Sequence, residues 1–189
     1  MIGDYASRLA WQQRRLQLRK LVVICDISGS MEPYARAYLQ FLQSAVASGA
    51  AEAFVFATRL TRLLQRSPVL AAIQRAAAEA PDWSGGTRIA ASLHRFNRFY
   101  GSRGLARGAV VVTLSDGWEI GEPAALAREM AALRRLAYRI IWVNPHKASP
   151  RYAPLAGGMA AGLPYCDAFV SGHNFSALRE VAEAIAARR

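Results

Sequence analysis

Three side chains with oxygen ligands stand at alternate positions just after an apolar, β-branched segment. They are Asp26, Ser28 and Ser30, which follow residues 21–25. A buried strand that ends in this spacing can present one carboxylate and two hydroxyls to a single ion, and Mg²⁺ prefers such hard oxygen ligands. Taken alone, the motif is also typical of turns and helix caps, where Ser and Asp are common.

Two other segments carry ligands of the same kind. Thr87 follows a pair of glycines, and Asp116 follows the strand-like segment 108–114. If both residues lie on loops beside the first motif, five oxygen donors converge on one place. We therefore predict a site for Mg²⁺, or for another divalent cation such as Mn²⁺, with these ligands: Asp26, Ser28, Ser30, Thr87 and Asp116.

The residues of the first motif argue against several enzyme classes, and we predict no catalytic residues. A phosphatase with an aspartyl nucleophile needs a second acid two residues later, but that position is Ser28. The sequence DISGSM is not the G-x-S-x-G turn of a serine hydrolase, and residues 85–87 lack the lysine and spacing of a P-loop. Hydrolysis at the metal would have only Glu119 or Asp116 as a general base.

Aromatic and charged residues flank the second and third groups of ligands. Trp83 and Trp118 are candidate partner contacts, because aromatic residues often anchor interfaces, although packing against the core is the alternative. Glu119 is either a third acid near the ion or a solvated charge. Arg88 begins a basic face, for which solvation is again the alternative. The histidines at positions 94, 146 and 173 show no metal-ligand spacing.

Short β-branched runs alternate with amphipathic helical patterns along the chain. This order is typical of parallel strands joined by helical crossovers. We predict an α/β fold, a three-layer αβα doubly wound sandwich whose mostly parallel sheet has one antiparallel edge strand. The predicted strands are 21–25, 53–57, 60–64, 108–114, 140–143 and 168–170; the predicted helices are 34–48, 68–80, 87–100, 122–138 and 175–187; and the main loops are 81–86 and 156–164.

Composition sets the domain organisation and the compartment. The 189 residues predict one domain over 21–189 after a basic N-terminal arm over 1–20. No apolar run approaches the roughly 20 residues that span a bilayer, and no signal peptide is evident, so we expect a cytoplasmic protein. Cys25 and Cys166 are far apart in sequence and are expected to be reduced.

The formal net charge of +11 raises an alternative function. Strongly basic proteins often bind nucleic acid, and a nucleic-acid-binding module is our second hypothesis. Only Lys20 and Lys147 among the 24 basic residues are lysine, and alanine is abundant. Such a composition also fits a G+C-rich coding bias, so we consider nucleic-acid binding the weaker hypothesis.

The ligand pattern resembles a known site. D-x-S-x-S, then a threonine after Gly-Gly, then an aspartate in S-D-G, is similar to the metal-ion-dependent adhesion site of von Willebrand factor A (VWA) domains. The resemblance implies that Ser28 and Ser30 contact the metal directly. It further implies that Thr87 and Asp116 contact it directly or through water, and that Asp26 orients the other ligands.

Longer segments resemble the bacterial CoxE-like branch of VWA proteins. Among them are DWSGGTRIAASLHRFNR and RGAVVVTLSDGWEIGEP, and the likeness runs from about residue 20 to the end. Because hydroxyl ligands would leave the ion with little negative charge from the protein, we expect a non-enzymatic adaptor that binds an acidic residue of a partner through its ion. The implied partner is a MoxR-type AAA+ ATPase, and the implied process is maturation of metalloenzymes such as aerobic carbon monoxide dehydrogenase. Family members usually carry a longer region before this domain, whereas residues 1–20 precede it here.

Overall fold

Among the described residues, six strands form one mixed sheet: Leu21–Asp26 (β1), Ala51–Phe56 (β2), Leu60–Leu63 (β3), Val110–Leu114 (β4), Arg139–Asn144 (β5) and Ala168–Ser171 (β6). Their order in the sheet is β3-β2-β1-β4-β5-β6. All neighbouring strands are parallel except the edge pair β2 and β3, which is antiparallel. This computed structural model describes residues 19–47, 49, 51–63, 87–150, 152–153, 157–174 and 176–187.

Helices pack on both faces of the sheet. The described α-helices are Ala35–Ala47 (α1), Ile89–Phe96 (α2), Pro123–Leu136 (α3), Gly157–Gly162 (α4) and Ala177–Ala186 (α5). Short 3-10 turns cover Gly29–Tyr34, Pro145–Ala148 and Leu163–Tyr165. None of the described helices is long and apolar enough to cross a membrane.

Alternating side chains of the central strands build two separate cores. Ile24 on β1 packs in a cluster with Leu93 of α2 and Met130 of α3. The next residue, Cys25, belongs to the cluster on the opposite face, which includes Leu42 of α1. Since successive strand residues point to opposite sides, a strand buried on both faces reads as a continuous apolar run. The predicted three-layer architecture is confirmed.

The predicted strands are all present, and each begins and ends within two residues of its predicted bounds. The predicted helices 34–48, 122–138 and 175–187 are also present as α1, α3 and α5. Both cysteines are free thiols, as expected. The predicted helix 68–80, the predicted loop 81–86 and the basic arm up to residue 18 lie outside the described residues.

The predicted bounds of helix 87–100 are wrong at both ends. Thr87 precedes the helix, and α2 begins at Ile89. Beyond Phe96 the chain continues as a π-helical segment, Asn97–Leu105, which contains Gly104 at φ 112°. A positive φ suits glycine and not other residues, so Gly104 ends the helical path later than the apolar periodicity indicates.

The prediction of a loop over 156–164 is also wrong. Its glycines suggested a turn, yet Gly157–Gly162 form α4. Met159 of this helix is fully buried in the core. A side chain at Gly158 would collide with the carbonyl oxygen of Gly117, so glycine here permits close helix packing.

Candidate metal centre

The centre of the sheet positions the first and third groups of predicted ligands. β1 lies between β2 and β4, and the chain leaves β1 towards β2 but leaves β4 towards β5. This reversal of direction is the topological switch point at which open α/β sheets bind ligands. Cys25 and Leu114 are paired in register, so Asp26 and Ser115 follow side by side at the same sheet edge.

Asp26 is a buried carboxylate that is held by hydrogen bonds. It is 1% exposed. The backbone N–H of Ser28 donates to Oδ1 over 2.9 Å, and the Ser115 hydroxyl donates to Oδ2 over 2.9 Å. Burial raises the pKa of Asp26 from 3.8 to about 6, and the negative charge of Asp116 also raises it, against the lowering by these hydrogen bonds.

The hydroxyls of Ser28 and Ser30 lie next to each other. Their Oγ atoms are 3.2 Å apart at the start of the 3-10 turn. Met31 fixes this turn, because its N–H donates to the Ser28 carbonyl over 2.9 Å and its side chain is buried. Adjacent ligands of an octahedral Mg²⁺ ion at about 2.1 Å lie about 3 Å from each other. The two hydroxyls therefore have a spacing that suits one ion.

Asp116 is held by its backbone and by one carboxylate oxygen. Trp118 N–H donates to Asp116 Oδ1 over 3.0 Å, and Asn144 Nδ2 donates to the Asp116 carbonyl over 2.8 Å. Gly117, at φ 80°, turns the loop, and its N–H donates to Ser115 Oγ over 3.0 Å. Within the described part of the chain, Oδ2 of Asp116 accepts no hydrogen bond, so this oxygen is available to a ligand.

Thr87 is placed at the same edge by two backbone contacts. Its carbonyl accepts the Ile120 N–H over 3.2 Å, and the neighbouring Arg88 N–H donates to the Ala57 carbonyl over 3.4 Å. Thr87 is 2% exposed. The backbone of Thr87 and Arg88 is thus hydrogen-bonded to the loops that follow β2 and β4. Hydrogen bonds link Asp26, Ser28 and Ser30, and the bond from Ser115 to Asp26 brings the loop of Asp116 beside them, whereas Thr87 is placed through its backbone.

Glu119 has a role that the sequence did not reveal. The Gly121 N–H donates to Oε1 over 2.7 Å, and the Ala90 N–H donates to Oε2 over 2.7 Å. Ala90 lies in the first turn of α2, so Glu119 caps this helix from the loop after β4. A freely solvated charge therefore does not describe this residue, because both of its oxygens accept backbone N–H groups. Its helix partner lies 29 positions upstream, and no local motif indicates the contact.

Asn144 is a second residue that sequence reasoning missed. It is fully buried at the end of β5, and its Nδ2 also donates to Tyr152 Oη over 2.9 Å. Together with the bond to the Asp116 carbonyl, this contact fixes the third ligand loop from the side of β5. One feature of the sequence could have indicated this role: Asn144 is a polar residue at the end of β5, the strand next to β4.

The other residues predicted near the site differ in their exposure. Trp118 is 65% exposed, so the alternative of packing against the core is excluded for it. Arg88 is also exposed, whereas Trp83 lies outside the described residues. The histidines are dispersed: His94 pairs with Glu129, and the others contact local polar or aromatic groups.

The donor chemistry defines what kind of metal the site can hold. In the described ranges no group of three or more His, Cys, Asp or Glu side chains could bind a metal ion. A site at this edge must therefore use Ser and Thr hydroxyls beside Asp26 and Asp116. Hydroxyls and carboxylates suit Mg²⁺ or Mn²⁺ and not a soft metal, so the residues fit the predicted ion.

Solved structures share the fold. Proximal thread matrix protein 1 from the mussel byssus is 18% identical, with a TM-score of 0.56 over 88% of this chain and 44% of that protein. A von Willebrand factor type A structure from Catenulispora acidiphila is 17% identical, with a TM-score of 0.55 over 89% and 42%. The chain thus spans less than half the length of these two relatives. BatB from Bacteroides thetaiotaomicron is 15% identical, with a TM-score of 0.53 over 89% of this chain and 98% of BatB.

Sequence comparison gives the family. No protein of curated function matches the sequence significantly. The family model for the VWA domain containing CoxE-like protein matches residues 2–178, which is most of the chain. Since both the sequence and the sheet topology agree with this assignment, the chain belongs to the CoxE-like family of VWA domain proteins.

Proposed function

We propose that this protein is a non-enzymatic, Mg²⁺-dependent adaptor that binds an acidic side chain of a partner protein. The observation that carries the proposal is the uncompensated charge at the switch point. The chain has a formal net charge of +11, yet no ion pair among the described residues includes Asp26 or Asp116. Two nearby carboxylates without a basic partner favour the binding of a cation, which supports the proposal.

Each residue of the chain would have a distinct role in holding the ion. Ser28 and Ser30 would be direct ligands, and Asp116 and Thr87 would bind directly or through water. Asp26 would hold the loop backbone at Ser28 and the hydroxyl of Ser115, because its two oxygens accept hydrogen bonds from these groups, and its negative charge would offset part of the charge of the ion. A bound Mg²⁺ would supply a positive charge that this ligand set leaves partly uncompensated, and hence a place for a partner carboxylate.

Exposed apolar groups beside the ligands support a protein partner. Trp118 follows Asp116 by two residues, and Ile120 is 53% exposed on the same loop. Large apolar side chains at a charged site are common anchors of protein interfaces. We propose that these side chains surround the acidic contact and exclude water from it.

The family suggests which partner to test first. We propose a MoxR-type AAA+ ATPase as the partner and maturation of a carbon monoxide dehydrogenase-type metalloenzyme as the process. Membership in the CoxE-like family supports an adaptor role of this general kind. Ser28 supports the absence of phosphatase chemistry, since it occupies the position of the second acid.

The experiment measures binding of the chain to a MoxR-type ATPase from the same organism by calorimetry. We expect binding in Mg²⁺, a loss of at least about tenfold in affinity with chelator, and a similar loss for Ser28→Ala and Asp116→Ala, because a charge-assisted contact contributes about 1.5–3 kcal/mol. Ser44→Ala on α1 is the matched control, since this serine is exposed and far from the ligands in sequence.

Thermal unfolding with and without Mg²⁺ separates the ion from the partner. A ligand that binds only the folded state stabilises it by about 2.7 kcal/mol at 100 times its Kd. If Mg²⁺ stabilises the chain but the ATPase does not bind, the result would support the metal site and reject this partner. Equal unfolding temperatures in Mg²⁺ and chelator for the wild type would reject the metal site itself.

A further inference from the structure

A cleft of about 490 Å³ lies beside the candidate metal centre, between α2 and α3. Its walls are formed by the start of α2, the middle of α3 and the loop that carries Glu119 and Ile120. Arg88 on its rim directly follows Thr87, and Ile120 lies four residues after Asp116. The cleft and the candidate metal centre therefore share two of their loops.

The hydrogen-bond acceptors of the cleft are already occupied. Both oxygens of Glu119 accept backbone N–H groups at 2.7 Å. Glu129 Oε1 pairs with His94 Nδ1 at 2.8 Å, and Glu129 Oε2 accepts from Asn97 Nδ2 at 2.9 Å. Neither carboxylate has an oxygen free of such contacts.

The donors of the cleft, by contrast, are available. Arg88 and Arg128 both line it, and both side chains are exposed. No described residue forms an ion pair with either guanidinium group. A guanidinium carries five N–H donors in a planar fork that matches a carboxylate. The cleft thus has an excess of donors that suits an anionic ligand.

We propose that this cleft binds a second carboxylate of the partner, from a Glu or Asp side chain on the same segment that approaches the ion. Arg88 and Arg128 donate to this carboxylate, and Ile120 contacts the apolar part of the segment. The inference rests on the proposed function, because it extends that partner site from one acidic contact to two.

The charges of the cleft favour a carboxylate over a phosphate. Glu119 and Glu129 contribute two negative charges that balance Arg88 and Arg128, so the cleft has no large net positive charge. A single carboxylate fits this balance. A phosphate dianion carries twice the charge of a carboxylate and a nucleic-acid backbone carries many charges, so both glutamates would repel either of them more strongly than a single carboxylate. Exposed Ile120 also provides an apolar contact that a protein segment can use.

The test uses a blocked pentapeptide, Glu-Leu-Glu-Leu-Glu, and the chain with ¹⁵N-labelled arginine side chains. We expect the Nε–Hε signals of Arg88 and Arg128 to shift with saturation, and the signal of Arg107 to move little. In fluorescence anisotropy, Arg128→Gln and Arg88→Gln should each weaken the peptide about fivefold, as expected of a partly exposed ion pair. Arg107→Gln is the matched control. Arg107 is exposed and precedes β4, so it lies at the N-terminal end of this strand, whereas the cleft borders the loop after its C-terminal end.

Repeating the titration with chelator distinguishes the cleft from the metal site. Loss of affinity in Arg128→Gln under both conditions supports the cleft, even if the peptide proves indifferent to Mg²⁺ and the proposed function fails. Equal affinities for wild type, Arg88→Gln and Arg128→Gln overturn the cleft, even if Mg²⁺ dependence remains. Inorganic phosphate that shifts both arginines at lower concentration than the peptide overturns the choice of carboxylate. An oligothymidylate that displaces the peptide at lower concentration overturns the choice of a protein segment.

Discussion

Asp26 experiences two opposing influences within a few ångströms. Burial disfavours its charge, while Ser28 and Ser115 stabilise the charge by hydrogen bonds. The pKa of about 6 reflects the larger effect of burial. A divalent cation at the neighbouring hydroxyls would remove the conflict, since it would supply the positive charge that no described basic residue provides. The metal-free protein therefore carries an electrostatic cost at neutral pH.

This cost predicts that Asp26→Asn stabilises the metal-free protein. Because the folded-state pKa lies above the ordinary value of 3.8, the folded protein holds this proton more tightly than the unfolded chain does. The contribution to stability is therefore present below about pH 4 and is lost as pH rises through 6. At pH 7.5 in chelator we expect Asp26→Asn to raise the free energy of unfolding by about 1–3 kcal/mol, measured by urea titration.

The gain should shrink towards zero near pH 4, where Asp26 is protonated. Glu32→Gln is the matched control, since Glu32 is exposed on the same loop as Ser28 and Ser30 and its substitution should change stability little. Mg²⁺ should stabilise the wild type but not Asp26→Asn. A variant less stable than the wild type in chelator at pH 7.5 would mean that the hydrogen bonds to the carboxylate outweigh its burial.

At the scale of elements, the ligand loops are connected through α2. Glu119 reaches from the loop after β4 to the first turn of α2, and Ile120 binds the Thr87 carbonyl in the same region. Two hydrogen bonds thus join the start of α2 to the loop that carries Asp116: one from the Ala90 N–H to the Glu119 side chain, and one from the Ile120 N–H to the Thr87 carbonyl. The position of Thr87 thus depends on a side chain that need not touch the ion.

We expect Glu119→Gln to weaken Mg²⁺ binding and to lower stability. Glutamine has one acceptor oxygen, so either Ala90 N–H or Gly121 N–H would face an amide donor. The loss of this acceptor should cost about 1–2 kcal/mol in thermal or urea unfolding with chelator. Mg²⁺ affinity should fall about threefold or more, because part of the free energy of ion binding would then be used to order the loop.

Glu122→Gln is the control for Glu119→Gln. Glu122 lies three residues later at the N-terminal cap of α3, and its side chain makes no capping hydrogen bond. If both variants keep wild-type stability and Mg²⁺ affinity, Glu119 does not connect the loops in the way the hydrogen bonds indicate.

Local patterns explain why some elements were predicted and others were not. β1 and β4 are continuous apolar runs, and their alternation with helical patterns predicted the sheet and the ends of the central strands where the predicted ligands lie. The donors Asp26, Ser28 and Asp116 were found because they directly follow those strands. By contrast, α4 has no amphipathic repeat, and the close approach of Gly158 to Gly117, which its glycines permit, is a tertiary contact. The contacts of Glu119 and Asn144 join segments that only the tertiary fold brings together.

At the scale of the whole molecule, the main property to explain is the strong positive charge of the chain. The net charge is +11, but the two described carboxylates at the switch point have no basic partner. The chain is thus positively charged overall, and no ion pair among the described residues neutralises these two carboxylates. Such an arrangement attracts acidic proteins over distances of about a Debye length, roughly 8 Å at physiological salt.

The same charge predicts weak, salt-sensitive binding of nucleic acid. We expect an oligonucleotide to bind at about 50 mM salt and to dissociate at about 200 mM, since counterion release dominates non-specific association. Chelator should make no difference to either measurement in fluorescence anisotropy. A complex that persists at the higher salt would favour the nucleic-acid hypothesis over the adaptor proposal.

The hydrogen bond between Ser115 Oγ and Asp26 Oδ2 joins positions 89 residues apart in the chain. Contacts of such long sequence separation form only after the intervening chain has been ordered, which makes them late events in folding. A nascent chain that has extended as far as β3 has the hydroxyls of Ser28 and Ser30 but neither Ser115 nor Asp116. On the proposed function, binding of the ion, and of any partner that depends on the ion, would therefore require the completed central sheet, and we expect an unfinished chain not to bind that partner.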